Sequence, residues 1–278
     1  MRTVLVSTLL FAFINIASVA PAFADDSPAR PGFALMDNTG DGSKVNLDVA
    51  AIVPTDSHAD GGLFRSSFLG QYVAPNGFGG YAGISASTLL PERDFGSNSG
   101  IGNLELGGLF RHALSAGFDL GIRVGFVVPT ASGDDRGFLQ LASTAIARPA
   151  DLATAFPADT TWLRLGVSPT YHRGPVFLRA DLGVDAPVRD DHQAASIEHI
   201  NLGVGIEHHG FSATAEMQTV FVKERSGDDR EIHSFHTAGL SARYQGAGAS
   251  PFLLVSTPLE DGLRGEVFTV TAGLTIPF

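Results

Sequence analysis

Cysteine is absent from this chain, tryptophan occurs once and methionine three times. The missing cysteine removes any disulfide framework and suits an exported protein that folds without one. Positive charge is scarce as well: 18 Lys and Arg stand against 29 Asp and Glu, a formal net charge of −11. Nucleic-acid binding rests on neutralising phosphates, so this balance argues against a nucleic-acid partner. Beyond residue 24 no segment is a convincing spanning helix, which needs roughly 20 apolar residues. No nucleotide motif, no cofactor site and no G-x-S-x-G turn occurs. Energy for any transport would then come from the solute gradient.

What is present begins with an export signal. Arg2 gives a positive start, Val4 to Ile16 a mostly apolar stretch, and Ala22-Phe23-Ala24 an A-x-A cleavage site followed by Asp25 and Asp26. Cleavage after Ala24 is the expectation, since the apolar stretch is short for a membrane anchor. Losing residues 1–24 removes one Arg and no acid, leaving 17 basic against 29 acidic groups. The expected organisation is a signal peptide over 1–24, a periplasmic lead-in over 25–43 and one β-domain over 44–278 with a long loop at 130–158.

The last dozen residues carry the clearest pattern. Phe268, Val270, Ala272, Leu274, Ile276 and Phe278 fall on one face of a strand, with Thr269, Thr271, Gly273 and Thr275 on the other. The middle of the chain repeats it. Ile122, Val124, Phe126 and Val128 oppose Asp119, Arg123, Gly125 and Val127, and Leu178, Ala180, Leu182 and Val184 oppose Arg179, Asp181, Gly183 and Asp185. Alternation alone does not say which face is inside. A soluble sandwich or lipocalin-like barrel turns its apolar face inward. A lipid-facing charge in mid-strand costs about 2–4 kcal/mol, so in a membrane the charges must face in. The signal peptide, an even strand count and the aromatic Phe278 favour the membrane arrangement. The strand holding Phe268, Val270, Leu274, Ile276 and Phe278 resembles the terminal strand of bacterial outer-membrane barrels, which implies recognition by the barrel insertion machinery.

The expected fold is all-β, a transmembrane antiparallel up-and-down barrel of about twelve strands, with ten to fourteen allowed. Short connections near Pro75 to Gly77, His112 to Gly117, Arg173-Gly174, His209-Gly210 and Gln245 to Ser250 alternate with longer polar ones. Short periplasmic turns and long extracellular loops are the habit of bacterial barrels, and place both barrel termini on the periplasmic side. Most long loops carry acids, among them Asp56, Glu92, Asp134, Asp190, Asp228 and Glu260. Contact with lipopolysaccharide through divalent ions is expected of them, and contact with outer-membrane lipid of the outer faces.

Several internal segments carry a family resemblance. They are Gly100-Ile-Gly-Asn-Leu-Glu-Leu-Gly-Gly-Leu-Phe-Arg111, Gly121-Ile-Arg-Val-Gly-Phe-Val-Val-Pro-Thr-Ala-Ser-Gly133, Leu165-Gly-Val-Ser-Pro-Thr-Tyr171 and Gly174-Pro-Val-Phe-Leu-Arg-Ala-Asp-Leu-Gly-Val-Asp185. Together they resemble the outer-membrane transporter barrels named after the phenol meta-cleavage degradation pathway, distant relatives of fatty-acid-transporter-like barrels. The resemblance implies uptake of small, often hydrophobic or aromatic solutes. It transfers no binding residue.

Selectivity is expected to reside in the inner wall, at Glu105, Arg111, Asp119, Arg123, Arg164, Arg179, Asp181, Asp185, Glu207 and Arg243, with Asp48 and Glu216 on the same face. Asp119, Arg123, Arg179 and Asp181 stand foremost, with Arg164 as a bridge between them. Such a wall either orients permeating solutes or braces itself by pairing. Inner glycines, including Gly125, Gly166, Gly183, Gly205, Gly239 and Gly273, leave space, whereas Phe177, Arg179 and Arg243 fill it. In the long loop, Phe138, Leu141, Ala142, Ala145 and Ile146 recur at helical spacing until Pro149. This short helix enters the lumen or lies over its mouth, and a solvated surface loop is the alternative.

No cofactor or metal is expected. His233 and His236 fall on opposite faces of a strand, and His208 and His209 diverge unless their turn curls. Catalysis is not expected either, because the neighbours of Ser234 point away from it. The function read from the sequence is passive passage of small solutes. A structural or adhesive barrel and a lipid hydrolase are the alternatives.

Overall fold

The structure is a computed structural model and describes residues 32–35, 42–55, 62–90, 98–131, 135–156, 160–189, 196–226, 229–246 and 248–278. The signal peptide expected over 1–24 lies outside the described residues. Most of the acidic loop residues named above lie outside them too.

Twelve antiparallel strands close into one barrel. They are β1 (Lys44–Pro54), β2 (Gly62–Val73), β3 (Phe78–Leu90), β4 in two segments (Asn98–Ile101 and Leu104–Ser115), β5 (Phe118–Val128), β6 (Thr161–Arg173), β7 (Val176–Arg189), β8 (Ile197–His208), β9 (Phe211–Ser226), β10 (Asp229–Tyr244), β11 (Ser250–Pro258) and β12 (Val267–Pro277). Each strand pairs with its neighbours in sequence, and β12 returns to β1 in register from Lys44↔Pro277 to Pro54↔Val267. Every strand has a neighbour on each side along the body of the barrel, the condition for a sheet to sit in hydrocarbon. The expected fold is therefore the observed one.

The sequence alternation becomes an inside and an outside. In β5, Asp119 and Arg123 are buried while Ile122, Val124 and Phe126 are exposed. Arg164 is 1% exposed and its neighbour Leu165 38%. This is the reverse of a soluble barrel. The outward aromatics Tyr72, Phe78, Tyr171, Phe211, Tyr244 and Phe278 collect near the short turns. Such a girdle is the mark of a membrane–water interface. On β12, Phe268, Val270 and Phe278 lie exposed on this outer face. Ile276 shares that face, partly covered. Leu274 shares it as well but is only 3% exposed, in a shallow outer groove that Leu47, Val49, Phe68 and Ile84 also line.

The short turns all fall at one end. A Cβ on Gly77 (φ +85°) would come within 2.1 Å of the Arg111 carbonyl oxygen, so the β2–β3 turn needs glycine for both its backbone angle and its space. The β8–β9 turn curls through His209 (φ 49°), which brings the His208 and His209 rings to 4.0 Å between centroids rather than apart.

The segment after β5 forms helix α1 (Asp135–Ala147) and then a 3-10 helix (Pro149–Ala155). Proline disfavours helical geometry in the residue before it, and Arg148 is accordingly non-helical (φ −152°, ψ 73°) between the two. Both helices lie inside the barrel, in the half nearest the long loops. The face of α1 that is most buried holds Gln140, Ser143, Thr144 and Ala147, not the apolar positions that revealed the helix. Phe138 is 73% exposed. The inner wall is polar, so the docked helix buries its polar face.

Candidate functional site

The lumen is occupied at two levels. At the long-loop level the 3-10 helix supplies Ala150, Leu152 and Ala153 to an apolar cluster with the inward-facing Val127, Trp162, Ile197, Val220 and Val222. The Phe156 ring lies tilted against Trp162, 5.2 Å between centroids. Wall positions at this level are apolar because chain, rather than water, lies against them.

Helix α1 is tied to β3 and β2 by side chains. Ser87 donates to Gln140 Oε1 at 2.6 Å and shares a hydrogen bond with Ser143, and Gln140 Nε2 donates to Ser85 Oγ at 2.6 Å. The 3-10 helix is tied to the interruption in β4. There Gly102 still donates to Ser85 O at 2.8 Å, but the Asn103 amide turns inward to Thr154 O at 2.7 Å. The Asn103 side chain accepts from the Thr130 and Ala131 amides, both at 2.9 Å, and donates to Phe156 O at 2.8 Å. One asparagine thus holds both ends of the helical loop. Gly102 cannot carry a Cβ here, since that atom would lie 2.8 Å from Ser85 Oγ and from Gln140 Nε2.

At the other level, near the short turns, residues 32–35 run inside the barrel. The Ala34 and Leu35 amides donate to the two oxygens of Glu216 at 2.9 and 2.8 Å, and Gln218 Nε2 donates to Leu35 O. Phe33 packs edge-on against Phe177 at 5.2 Å. These four residues belong to the stretch expected as a periplasmic lead-in over 25–43, and they lie within the ring of strands.

Between the levels sits a band of buried charge. Arg164 reaches Asp185 at 2.8 Å and Glu105 at 2.9 Å, and its Nη2 also donates to Ala150 O. The expected bridge between Asp119, Arg123, Arg179 and Asp181 therefore does not form through Arg164, which spans instead from β4 to β7 and up to the loop. Arg179 pairs with Asp181 at 2.8 Å on its own strand, Asp119 with Arg111 at 3.5 Å, and Arg123 Nη2 lies 3.1 Å from His199 Nε2. Arg243 lies over the Phe252 ring at 4.8 Å and donates to Thr275 Oγ1 at 2.7 Å. Glu207, partly exposed, faces inward beside the short turns. Of the ten expected wall residues, Glu105, Arg164 and Asp185 thus meet at one point.

The loop adds two charges that strand periodicity does not reveal. Asp151 lies 3.0 Å from Arg65 and 3.0 Å from Arg148, with Arg164 at 3.9 Å, and Arg148 extends to Asp48 at 3.8 Å. Burial pushes the Asp151 carboxyl up, but Arg148, Arg65, Arg164 and Arg123 outweigh it and hold the group well below the usual carboxylate range. Burial lowers the Arg148 guanidinium, and Asp151, Asp48 and Glu216 more than restore it. Arg65 was legible as an inward position of β2, alternating with Phe64, Ser66 and Phe68. Asp151 had no signal, because nothing in the loop sequence says which way a 3-10 turn will face.

The inner glycines do not leave open space. A Cβ on Gly205 would sit 2.1 Å from the Phe177 ring, on Gly183 2.0 Å from His199, on Gly166 2.6 Å from Arg123, on Gly273 2.1 Å from Phe252 and on Gly125 2.3 Å from the Tyr81 hydroxyl. The first four of these glycines are direct cross-strand partners of the side chain that covers them. The glycines are recesses that let large inward side chains lie flat along the wall. Tyr81, lying so, donates to Glu105 Oε1 at 2.8 Å.

His233 and His236 stand on opposite faces of β10, and among the described residues no group of three His, Asp or Glu is arranged to hold a metal.

No family model matches the sequence, and no curated protein does. Solved structures match by fold. The COG4313 outer membrane channel from Pseudomonas putida F1 superposes with a TM-score of 0.58 at 12% identity, over 92% of this chain and 99% of that one. The KdgM porin in complex with disordered oligogalacturonate gives 0.51 at 10%, over 84% and 99%. The NanC porin gives 0.50 at 9%, over 84% and 100%. At these identities the likeness establishes the fold, that of outer-membrane channel barrels, and nothing finer. The narrower resemblance to phenol meta-cleavage barrels is not established by it.

Proposed function

We infer that the protein is a passive outer-membrane channel for small solutes, inserted with its short turns and both barrel termini on the periplasmic side. The observation that carries the reading is what fills the barrel. The lumen is occupied by two chain segments held through hydrogen bonds and ion pairs, and a loop attached only at its ends can leave without breaking the wall. The sequence resemblance supports hydrophobic or aromatic solutes. The charged band favours those among them that carry a polar or ionised group. Outer-membrane lipid covers the outer apolar faces, lipopolysaccharide meets the acidic loops, and the barrel insertion machinery reads the strand from Phe268 to Phe278.

Single-channel recording of the refolded mature chain in a planar bilayer tests this. Discrete openings are expected, with ion selectivity altered in Arg123→Ala and Arg179→Ala. Silence from a barrel shown to be folded would overturn it. One observation favours a second reading, a non-conducting structural barrel: the covered glycines let wall side chains narrow the lumen even without the loop. Silence that persists after deletion of the loop would select that reading.

A further inference from the structure

Three inward side chains at one place in the wall have polar atoms left over. Asn46, Asp48 and Arg65 are 3%, 6% and 2% exposed. Among the described residues, Asn46 Nδ2 and Oδ1, Asp48 Oδ1 and Arg65 Nη1 have no hydrogen-bond partner. All three side chains line a single cavity of about 60 Å³ under the docked loop, with Ser67, Tyr81 and Ser85. Burying such atoms unpaired is costly, and native interiors rarely do it without a ligand or water in view. Asp48 and Arg65 stand on adjacent strands of the same inner face, since Asp48 pairs with Ser67 in register. The wall therefore offers an anion, a cation and an amide side by side.

Ser67 on β2 donates to the other Asp48 oxygen at 2.5 Å, and the loop meets both charged groups in a complementary way. Arg148 sets its guanidinium toward Asp48 at 3.8 Å, and Asp151 sets its carboxylate on Arg65 at 3.0 Å. Arg148 and Asp151 are themselves 3.0 Å apart. The loop thus presents a compact zwitterion to the wall. When it leaves, one positive and one negative charge leave together, so the wall keeps its net charge, Arg65 loses its carboxylate partner and Asp48 keeps only the Ser67 hydroxyl.

We propose that Asn46, Asp48 and Arg65 form a subsite for the ammonium and carboxylate of an amino-acid-type solute, held in the closed barrel by Arg148 and Asp151 as an internal stand-in. The ammonium supplies the donors that Asp48 Oδ1 and Asn46 Oδ1 lack. The carboxylate accepts from Arg65 Nη1 and Asn46 Nδ2. A solute with only one of the two charges leaves one wall group unpaired, which is how a site discriminates by what it would strand. A quaternary ammonium has no N–H for Asp48 and fits worse than a primary one. The proposal deepens the channel reading, yet binding can be measured without conduction.

Trp162, the only tryptophan in the chain and 1% exposed against the loop, reports loop release through its emission. The full mature chain, refolded in lipid, is titrated with L-alanine, acetate, methylammonium and glycerol. Alanine is expected to red-shift the emission at a concentration about tenfold below acetate or methylammonium, because a second charge-assisted contact forms. Glycerol does nothing. Arg65→Gln and Asp48→Asn each abolish that advantage. Asp151→Asn, which weakens the stand-in, lowers the half-saturating alanine concentration, and isothermal titration of this variant reads alanine binding directly. Acetate acting as well as alanine would reduce the subsite to an anion site and overturn the proposal. No heat and no shift with any probe would overturn it too, leaving water as the occupant. Conductance recorded in parallel separates the readings: binding without conductance sinks only the channel, conductance without binding only the subsite.

Discussion

At the scale of single residues, this barrel is built on unequal cross-strand pairs. A glycine on one strand accommodates an aromatic, histidine or arginine on the next. Gly205→Ala would drive a methyl into the Phe177 ring, 2.1 Å from its Cζ. A loss of about 1–3 kcal/mol is expected in denaturant unfolding from lipid vesicles. Gly80→Ala, whose new methyl meets nothing nearer than a backbone oxygen at 3.4 Å, is expected to cost much less. Arg164 is the second kind of critical residue. Arg164→Met would leave Asp185 without the cation at 2.8 Å and Glu105, whose cation lies at 2.9 Å, with only the Tyr81 hydroxyl, and should cost about 3–5 kcal/mol in the same assay. The sequence marked Arg164 and Glu105 as inward by strand period. It gave no reason to pair them, because they lie on strands separated by β5.

At the scale of elements, the helical loop lies in the lumen, docked through side chains rather than paired into the wall. Asn103 secures both of its ends, so Asn103→Ala should release the Thr130, Ala131 and Phe156 backbone groups together. A red-shifted Trp162 emission and faster proteolysis within the loop are the expected signs, with the strands still protected. The loop is also held by charge. The docked Asp151 carboxyl titrates below its free value, so ionisation stabilises docking above an ordinary carboxylate pKa of about 3.9. That contribution is lost as pH falls through the lowered value. Emission from Trp162 should therefore stay flat between about pH 8 and about pH 5 and redden only in stronger acid. The Asp151→Asn protein should lack that transition. The helix itself was legible from the spacing of Phe138, Leu141, Ala142, Ala145 and Ile146. Its docked face was not, because amphipathic reasoning assumes an apolar interior and this one is lined with serine, asparagine and arginine.

At the scale of the whole molecule, the barrel is inverted, with exposed Leu202 and Ile206 alternating with buried Asn201 and Gly205 on β8. Leu202→Arg, in mid-strand and outward, should cost about 2–4 kcal/mol when unfolding is measured from a bilayer. Asn201→Arg faces the lumen and is expected to change conductance more than insertion. An equal penalty at both positions would contradict the inverted arrangement.

The chain by itself determined the strands, their count, their alternation and the end at which the tight turns lie. Those properties are local: a period of two, a glycine at a positive φ, a polar break. Tertiary structure alone decided which inward charges meet, that the glycine recesses are filled, that residues 32–35 share the lumen with the helical loop, and that Asp151 completes the buried charge band. The reason is physical. Along a strand the sequence states which face a side chain occupies, but across a closed ring a contact depends on strand stagger, and inside it on where a loop comes to rest, neither of which any local period encodes.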